Sequence, residues 1–312
     1  FQMGLVSGDA PEMWNVEHPD RVRSLHRRFI EAGADIFLTN SFGGNRHRLK
    51  LHNFQDRVRE LNISAARNAR AEADAAGHPV YVAGSMGPTG EIFQPVGSLS
   101  HEEGVEAFSE QAAALKEGGV DVLWIETMSS EEELRAAVEG AARHGLPIVT
   151  TMSFDTNGRT MMGITPKAFG TLAGTLAATP AAIGANCGVG ASELVATVLG
   201  ITASRPDAVV VAKGNCGIPQ YVDGHIHYNG TPELMADYAR IALDAGAKII
   251  GGCCGTSPEH LAAMRKSLEA YSRGKRPSIE EVERRLGPVS ELAKGHDAAA
   301  AGAARRERRR AS

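Results

Sequence analysis

No apolar run in the 312-residue chain approaches the roughly 20 residues that a helix needs to cross a bilayer, so a membrane-spanning segment is not expected. Cysteine is scarce. Four in a chain this long are too few for a disulfide scaffold, and no secretory pattern opens the sequence. A reducing cytoplasm is therefore the expected setting, where clustered thiols point to metal or catalysis rather than to cystine. Glycine is plentiful, at 35 residues, yet the Gly-Lys-Ser/Thr of a phosphate-binding P-loop is missing, and neither Gly84 to Gly90 nor Gly188 to Gly190 completes such a pattern. Neither sign of charge dominates, and a net charge of −4 gives no global reason to expect nucleic acid. The exception is local. Arg305, Arg306, Arg308, Arg309 and Arg310 follow an alanine-rich stretch, which reads as a solvated, disordered tail, with a weak polyanion or partner contact as the lesser alternative.

What is present is an alternation of short apolar runs and amphipathic segments. Ile36 to Asn40, Val80 to Gly84, Val122 to Glu126, Ile148 to Ser153, Ala182 to Asn186, Val209 to Lys213 and Lys248 to Gly252 read as continuously apolar strands, the pattern of strands buried on both faces. A helical pattern follows each. Start signals support several of these helices: Ser100 with Glu103 as a capping box, and Thr165-Pro166, Thr231-Pro232 and Ser257-Pro258 as cap-plus-proline pairs. Pro19 to Glu31 reads as an earlier amphipathic helix, and a long helical region after Gly43-Gly44 ends near Ala76. Phe1 to His18, which holds Trp14, has no clear period. Seven βα units imply a parallel sheet. An open doubly wound sheet tolerates seven strands, whereas a (β/α)8 TIM barrel needs eight. The barrel is the expected fold class, with its first strand upstream of Phe1 or missing from this sequence. Residues 1–274 form the barrel domain in this reading, and 275–312 form an extension with a short helix near Ile279 to Leu286 and the arginine-rich tail.

The residues with chemistry lie at the C-terminal ends of strands, the face on which barrel enzymes place their sites. The densest stretch is Ile249-Ile250-Gly251-Gly252-Cys253-Cys254-Gly255-Thr256. Adjacent strand residues point to opposite faces, so two neighbouring sulfurs meet one ion only if the backbone turns, which the flanking glycines permit. Cys187, in Gly184-Ala185-Asn186-Cys187-Gly188, lies at another strand end. Cys187, Cys253 and Cys254 are thus read as three thiolate ligands of one zinc ion, with an exchangeable fourth position. The bland alternative is that small cysteines merely pack beside glycines. Cys216 is read as a bystander, because a fourth thiolate would close the site. Glu126 ends a buried strand and needs a partner; it either clamps a substrate ammonium or makes a structural salt bridge or cap. Asn186 either meets substrate or holds its loop. His18, His26, His47 and His52 read mostly as surface residues, and Met161-Met162 as core.

These motifs resemble the homocysteine S-methyltransferase family. The resemblance rests on Gly251 to Thr256 with Gly184 to Cys187, on Ala32 to Ile36 with Thr39 to Gly43, on Ser85 to Gly90, and on Trp124 to Thr127. It covers the chain to about residue 270. It implies a (β/α)8 barrel, zinc on Cys187, Cys253 and Cys254, homocysteine as methyl acceptor, and methionine as product. It also implies a substrate set of Glu126, Asn186, Asn40 and Ser85, with Glu126 on the homocysteine amino group. The family's first strand carries an Asp-Gly motif that is absent here and would lie just upstream of Phe1. Zinc makes a thiolate of the substrate thiol, and the thiolate is the better nucleophile.

The donor is read from the same resemblance. Quaternary ammonium groups favour aromatic cages, and animal betaine enzymes have tyrosines where Gly43 and Thr127 stand here. Trp14 is the remaining candidate donor contact. The whole sequence, tail included, also resembles short bacterial betaine–homocysteine methyltransferases, so glycine betaine ranks first. A methyl-carrying corrinoid protein ranks second, because Asn40 to Gly43 resembles the homocysteine domain of cobalamin-dependent methionine synthase. S-methylmethionine ranks third. A non-enzymatic alternative is a homocysteine-binding module that works only within a multi-protein assembly.

Overall fold

The structure is a computed structural model, and it describes residues 3–6, 8–217, 219–222 and 225–294. The strands are β1 (Ile36–Leu38), β2 (Tyr81–Met86), β3 (Val122–Met128), β4 (Ile148–Met152), β5 (Ala182–Cys187), β6 (Val210–Gly214), β7 (Pro219–Val222), β8 (His225–Tyr228) and β9 (Ala247–Gly252). Seven of them form one sheet in the order β1-β2-β3-β4-β5-β6-β9, and β7 pairs with β8 as an antiparallel hairpin. The chain divides into two compact units, Phe1–Thr150 with Leu176–Ala181 and Thr151–Thr175 with Ala182–Ser312. Strand–helix alternation with parallel pairing in both units is the repeat of the (β/α)8-barrel class.

In the first unit β1, β2 and β3 pair in parallel, with Ile36 opposite Tyr81 and Ser85 opposite Trp124. Leu123, Trp124 and Ile125 of β3 are wholly buried, with Phe108, Leu115 and Leu134 from the helices His101–Gly118 and Glu131–Ala142. The Ser100–Glu103 capping box forms as the sequence predicts, each side chain bonding the other's backbone. Two details differ from expectation. The region after Gly44 is not one helix: Arg46–Lys50 stops before Asn53, whose φ of 61° is incompatible with a continuing helix, and a new helix runs Val58–Asp74. The aperiodic start contains a 3-10 turn, Pro11–Met13, and a helical turn, Trp14–Glu17.

In the second unit β5, β6 and β9 pair in parallel, with Asn186 opposite Lys213 and Gly214 opposite Gly252. The helices Ala191–Ser204, Pro232–Asp244 and Pro258–Glu269 follow β5, the hairpin and β9. The predicted extension helix forms at Ile279–Leu286 and buries Val282. Arg285 pairs with Asp237, Ser192 Oγ donates to Pro288 O at 2.8 Å, and Ser290 N donates to Glu193 Oε1 at 2.6 Å. The extension therefore packs on the helices after β5 and after the hairpin. The arginine-rich tail lies outside the described residues. Met161 and Met162 are solvent-facing, 73% and 49% exposed, rather than core. They sit in a turn closed by Thr160 N to Ile164 O at 3.0 Å and Gly163 N to Thr160 O at 2.8 Å, which holds them at the surface.

His26 is also buried rather than at the surface, beside Phe37 and close to Glu72, which receives Arg23 and Arg27. Burial, partly opposed by the Glu72 charge, lowers its pKa from 6.5 to about 4, and its Nε2 has no partner among the described residues. A folded-state pKa below the unfolded value gives stability that is present above pH 6.5 and lost as the pH falls toward 4. His26→Phe is expected to remove on the order of 1–3 kcal/mol of acid sensitivity. Thermal melts of the two proteins across that window check it: the variant's melting temperature should fall less on acidification than the parent's.

Candidate metal centre

Three strand ends of the second unit build a cluster of sulfurs. β5 ends on Cys187, which takes a left-handed conformation (φ 61°) that a non-glycine residue rarely adopts. Gly188 continues the turn at φ 78°. β9 ends at Gly252, and Cys253 and Cys254 follow, outside the regular strand. Cys253 N donates to Gly214 O at 2.7 Å, and Cys254 O accepts from Cys216 N at 2.9 Å, so the pair is stitched to the end of β6. Asn215 joins the two cysteine loops. Its Nδ2 donates to Gly188 O at 2.7 Å, and its Oδ1 accepts from Cys254 N at 3.1 Å.

The outcome is that the sulfurs of Cys187, Cys253 and Cys254 all lie within 4.8 Å of one another, with Cys187 and Cys254 at 3.6 Å. For zinc–sulfur bonds of about 2.3 Å at tetrahedral angles, neighbouring sulfurs are about 3.8 Å apart. The donor set and its spacing fit a thiophilic ion such as zinc. Cys216 lies outside the cluster, buried, its thiol donating to Gly230 O at 3.4 Å. Hydrogen bonds from Cys187 and Cys254 hold the Cys253 thiol far below the usual thiol range, with a further contribution from Lys213. The same hydrogen bond to Cys253 pushes Cys187 up. The cluster thus favours one thiolate even with no cation bound, and a cation would displace the remaining protons.

Side chains around the sulfurs are ordered. Thr151 Oγ1 donates to Asn186 Oδ1 at 2.6 Å, and Asn186 Nδ2 faces Cys253 Sγ at 3.8 Å. Asn186 therefore meets the cluster directly. Tyr228, on β8, hydrogen-bonds the Cys254 side chain, and its ring lies against Gly255, where a Cβ would come within 2.4 Å of Tyr228 Cγ. The hairpin and Tyr228 are absent from the sequence reading. The available signal was Asp223-Gly224 between Tyr221-Val222 and His225-Ile226, a two-residue hairpin turn between β-favouring runs.

In the first unit Glu126 is buried near the C-terminal end of β3, where Thr127 takes a φ of 64°. Ser85 Oγ donates to Glu126 Oε1 at 2.6 Å. Ser85 is itself clasped: its N donates to Thr39 Oγ1 at 3.0 Å, and its carbonyl accepts from Ser41 Oγ at 2.8 Å. Gln111 Nε2 then holds Ser41 O at 2.8 Å. Asn40 is used differently from Ser85. Its amide donates to Pro11 O at 2.8 Å and to Asn15 Oδ1 at 3.2 Å, and its carbonyl accepts from Asn15 Nδ2 at 2.7 Å. These bonds fasten the N-terminal turns to the end of β1. Trp14, in those turns, packs edge-on against His18 and carries the Arg21 guanidinium over its ring, 5.1 Å from the centroid.

Comparison with known proteins shows the family and the fold. A model of the homocysteine S-methyltransferase family matches residues 5–268. The methionine synthases of Mycobacterium tuberculosis and Mycobacterium leprae are 32% and 30% identical to the chain over 277 residues. Each match covers 85% of this chain but 23% of the relative, so the chain spans less than a quarter of their length. Among solved structures, the metallated form of the homocysteine methyltransferase MmuM from Escherichia coli is 23% identical, with a TM-score of 0.69 over 85% of this chain and 91% of that one. The oxidised form of the same protein is 22% identical, with the same TM-score. These structures share the fold.

Because the Asn215 side chain ties Gly188 to Cys254, Asn215→Ala is expected to weaken metal retention by about 10–100-fold, the usual effect of removing a group that orients ligands. Competition with a chromophoric chelator measures it, and an unchanged affinity would show that the loops hold their spacing without Asn215.

Proposed function

Since the chain belongs to the homocysteine S-methyltransferase family, we propose that it transfers a methyl group to the sulfur of homocysteine, forming methionine, with zinc held by Cys187, Cys253 and Cys254. The observation that carries this reading is the set of three sulfurs within 4.8 Å of one another, at the strand ends of a barrel-class sheet. Cys187, Cys253 and Cys254 would hold the ion and leave a further position open to the substrate sulfur. Zinc bound there supplies the low thiol pKa that keeps the substrate sulfur anionic at neutral pH.

The chain's own residues then bind and orient. Glu126 offers a carboxylate to the substrate ammonium, and Ser85 fixes one of its oxygens at 2.6 Å. The Thr39–Ser41–Gln111 chain holds Ser85 in turn, so the carboxylate is presented in one orientation before substrate arrives. Asn186 and Tyr228 address the cluster rather than the substrate backbone.

Two donors remain. Glycine betaine follows from the likeness to short bacterial enzymes, with Trp14 as its aromatic contact. A methyl group carried by a corrinoid on another protein or domain is favoured by two observations. The relatives are methionine synthases of which this chain spans 23%, and one face of Trp14 already bears Arg21 in place of a donor cation. Methionine formation by the zinc-loaded protein, assayed with betaine and separately with methylcobalamin, distinguishes them. Cys254→Ala should lose activity with the true donor by on the order of a thousandfold or more. A Cys254→Ala protein that still makes methionine at the parent rate would sink the zinc-thiolate reading.

A further inference from the structure

The proposed reaction carries a selectivity problem. With zinc and homocysteine in place, three protein sulfurs and one substrate sulfur share a metal within reach of one methyl donor. A methyl group that lands on a cysteine leaves a thioether, which is neutral and a much poorer ligand than the thiolate. The four sulfurs are alike in kind, so what separates them is what else each touches.

Two protein sulfurs are engaged by hydrogen-bond donors. Asn186 turns its Nδ2 toward Cys253 Sγ at 3.8 Å, and its orientation is fixed because Thr151 Oγ1 donates to its carbonyl oxygen at 2.6 Å. The half-buried Tyr228 bonds the side chain of Cys254, with its ring seated on the Gly255 backbone. Cys254 is the exposed member of the cluster and so the one a methylating agent reaches most readily. A hydrogen bond to a thiolate draws on the lone-pair density that would attack a methyl carbon, and bonds to charged acceptors are the strong ones.

We propose that Asn186 and Tyr228 are specificity-determining residues that shield Cys253 and Cys254 from methylation. This rests on the zinc-thiolate reading above. The reaction they suppress is simple to balance. The cysteine sulfur, already a thiolate, gives its lone pair to the methyl carbon. The sulfur–carbon bond forms as the bond from carbon to the leaving group breaks, and the leaving group departs with that electron pair. No proton, oxidant or reductant is needed.

The test exposes zinc-loaded parent, Tyr228→Phe and Asn186→Ala proteins to methyl methanesulfonate without homocysteine, with zinc content measured beforehand. Peptide mass mapping then follows which cysteine gains one methylene. Tyr228→Phe should be methylated at Cys254 about tenfold faster than the parent, a change of about 1.4 kcal/mol in barrier. Asn186→Ala should show a similar rise at Cys253. Cys216, buried and outside the cluster, should keep its parent rate and reports general loosening. Equal rates at Cys253 and Cys254 in all three zinc-loaded proteins overturn the proposal. So does a rise that Cys216 shares, and a variant that loses its zinc shows that its residue holds the metal rather than shielding a sulfur. A parent protein that takes up no zinc fails the proposed function itself, which separates the two failures.

Discussion

Holding three sulfurs within 4.8 Å of one another is the constraint to which the rest of the second unit answers. Thiolates at that spacing repel, and one of them is already favoured as an anion before any cation enters. The backbone must therefore enforce the arrangement. It does so by placing β6 between β5 and β9 and using the end of β6 as a bracket: Gly214 takes Cys253, Cys216 takes Cys254, and Asn215 ties the Cys187 loop to Cys254. The left-handed conformation of Cys187 is the cost of aiming a sulfur inward from a strand end. The hairpin that interrupts the βα alternation then sets Tyr228 on the same loop.

The first unit meets a different demand, a buried carboxylate kept in one orientation. Glu126 would be costly to bury without partners. Ser85, which donates to it, has its backbone N–H and carbonyl held by the Thr39 and Ser41 hydroxyls, these two hydroxyls bond each other, and Gln111 holds the Ser41 carbonyl. Such a chain keeps one carboxylate oxygen of Glu126 in a fixed place.

The sequence made the repeat legible because buried parallel strands are continuous apolar runs with little ambiguity in length, and because cap residues such as Ser100 and Thr165 are read locally. It made the cysteines legible for the same reason: they stand at strand ends beside glycines. What it concealed was set by tertiary contact. His26 looks like any helix-surface histidine until the helix Val58–Asp74 packs over it with Glu72. Met161 and Met162 look apolar enough for a core, yet a turn closed by Thr160 leaves them in solvent. The bonds of the Asn40 amide to Pro11 and Asn15 likewise join segments that no local pattern connects. Tyr228 needed a hairpin that the βα rhythm masked, although an Asp-Gly pair between β-favouring runs was written in the chain.

The most direct measurement of the central claim is zinc K-edge X-ray absorption on the metal-loaded protein, before and after homocysteine is added. Three cysteine sulfurs with one lighter ligand should give way to four sulfurs when homocysteine binds, with zinc–sulfur distances near 2.3 Å. An unchanged sulfur count, or four sulfurs before any substrate is present, would contradict the assignment of Cys187, Cys253 and Cys254 as an open, substrate-accepting zinc site.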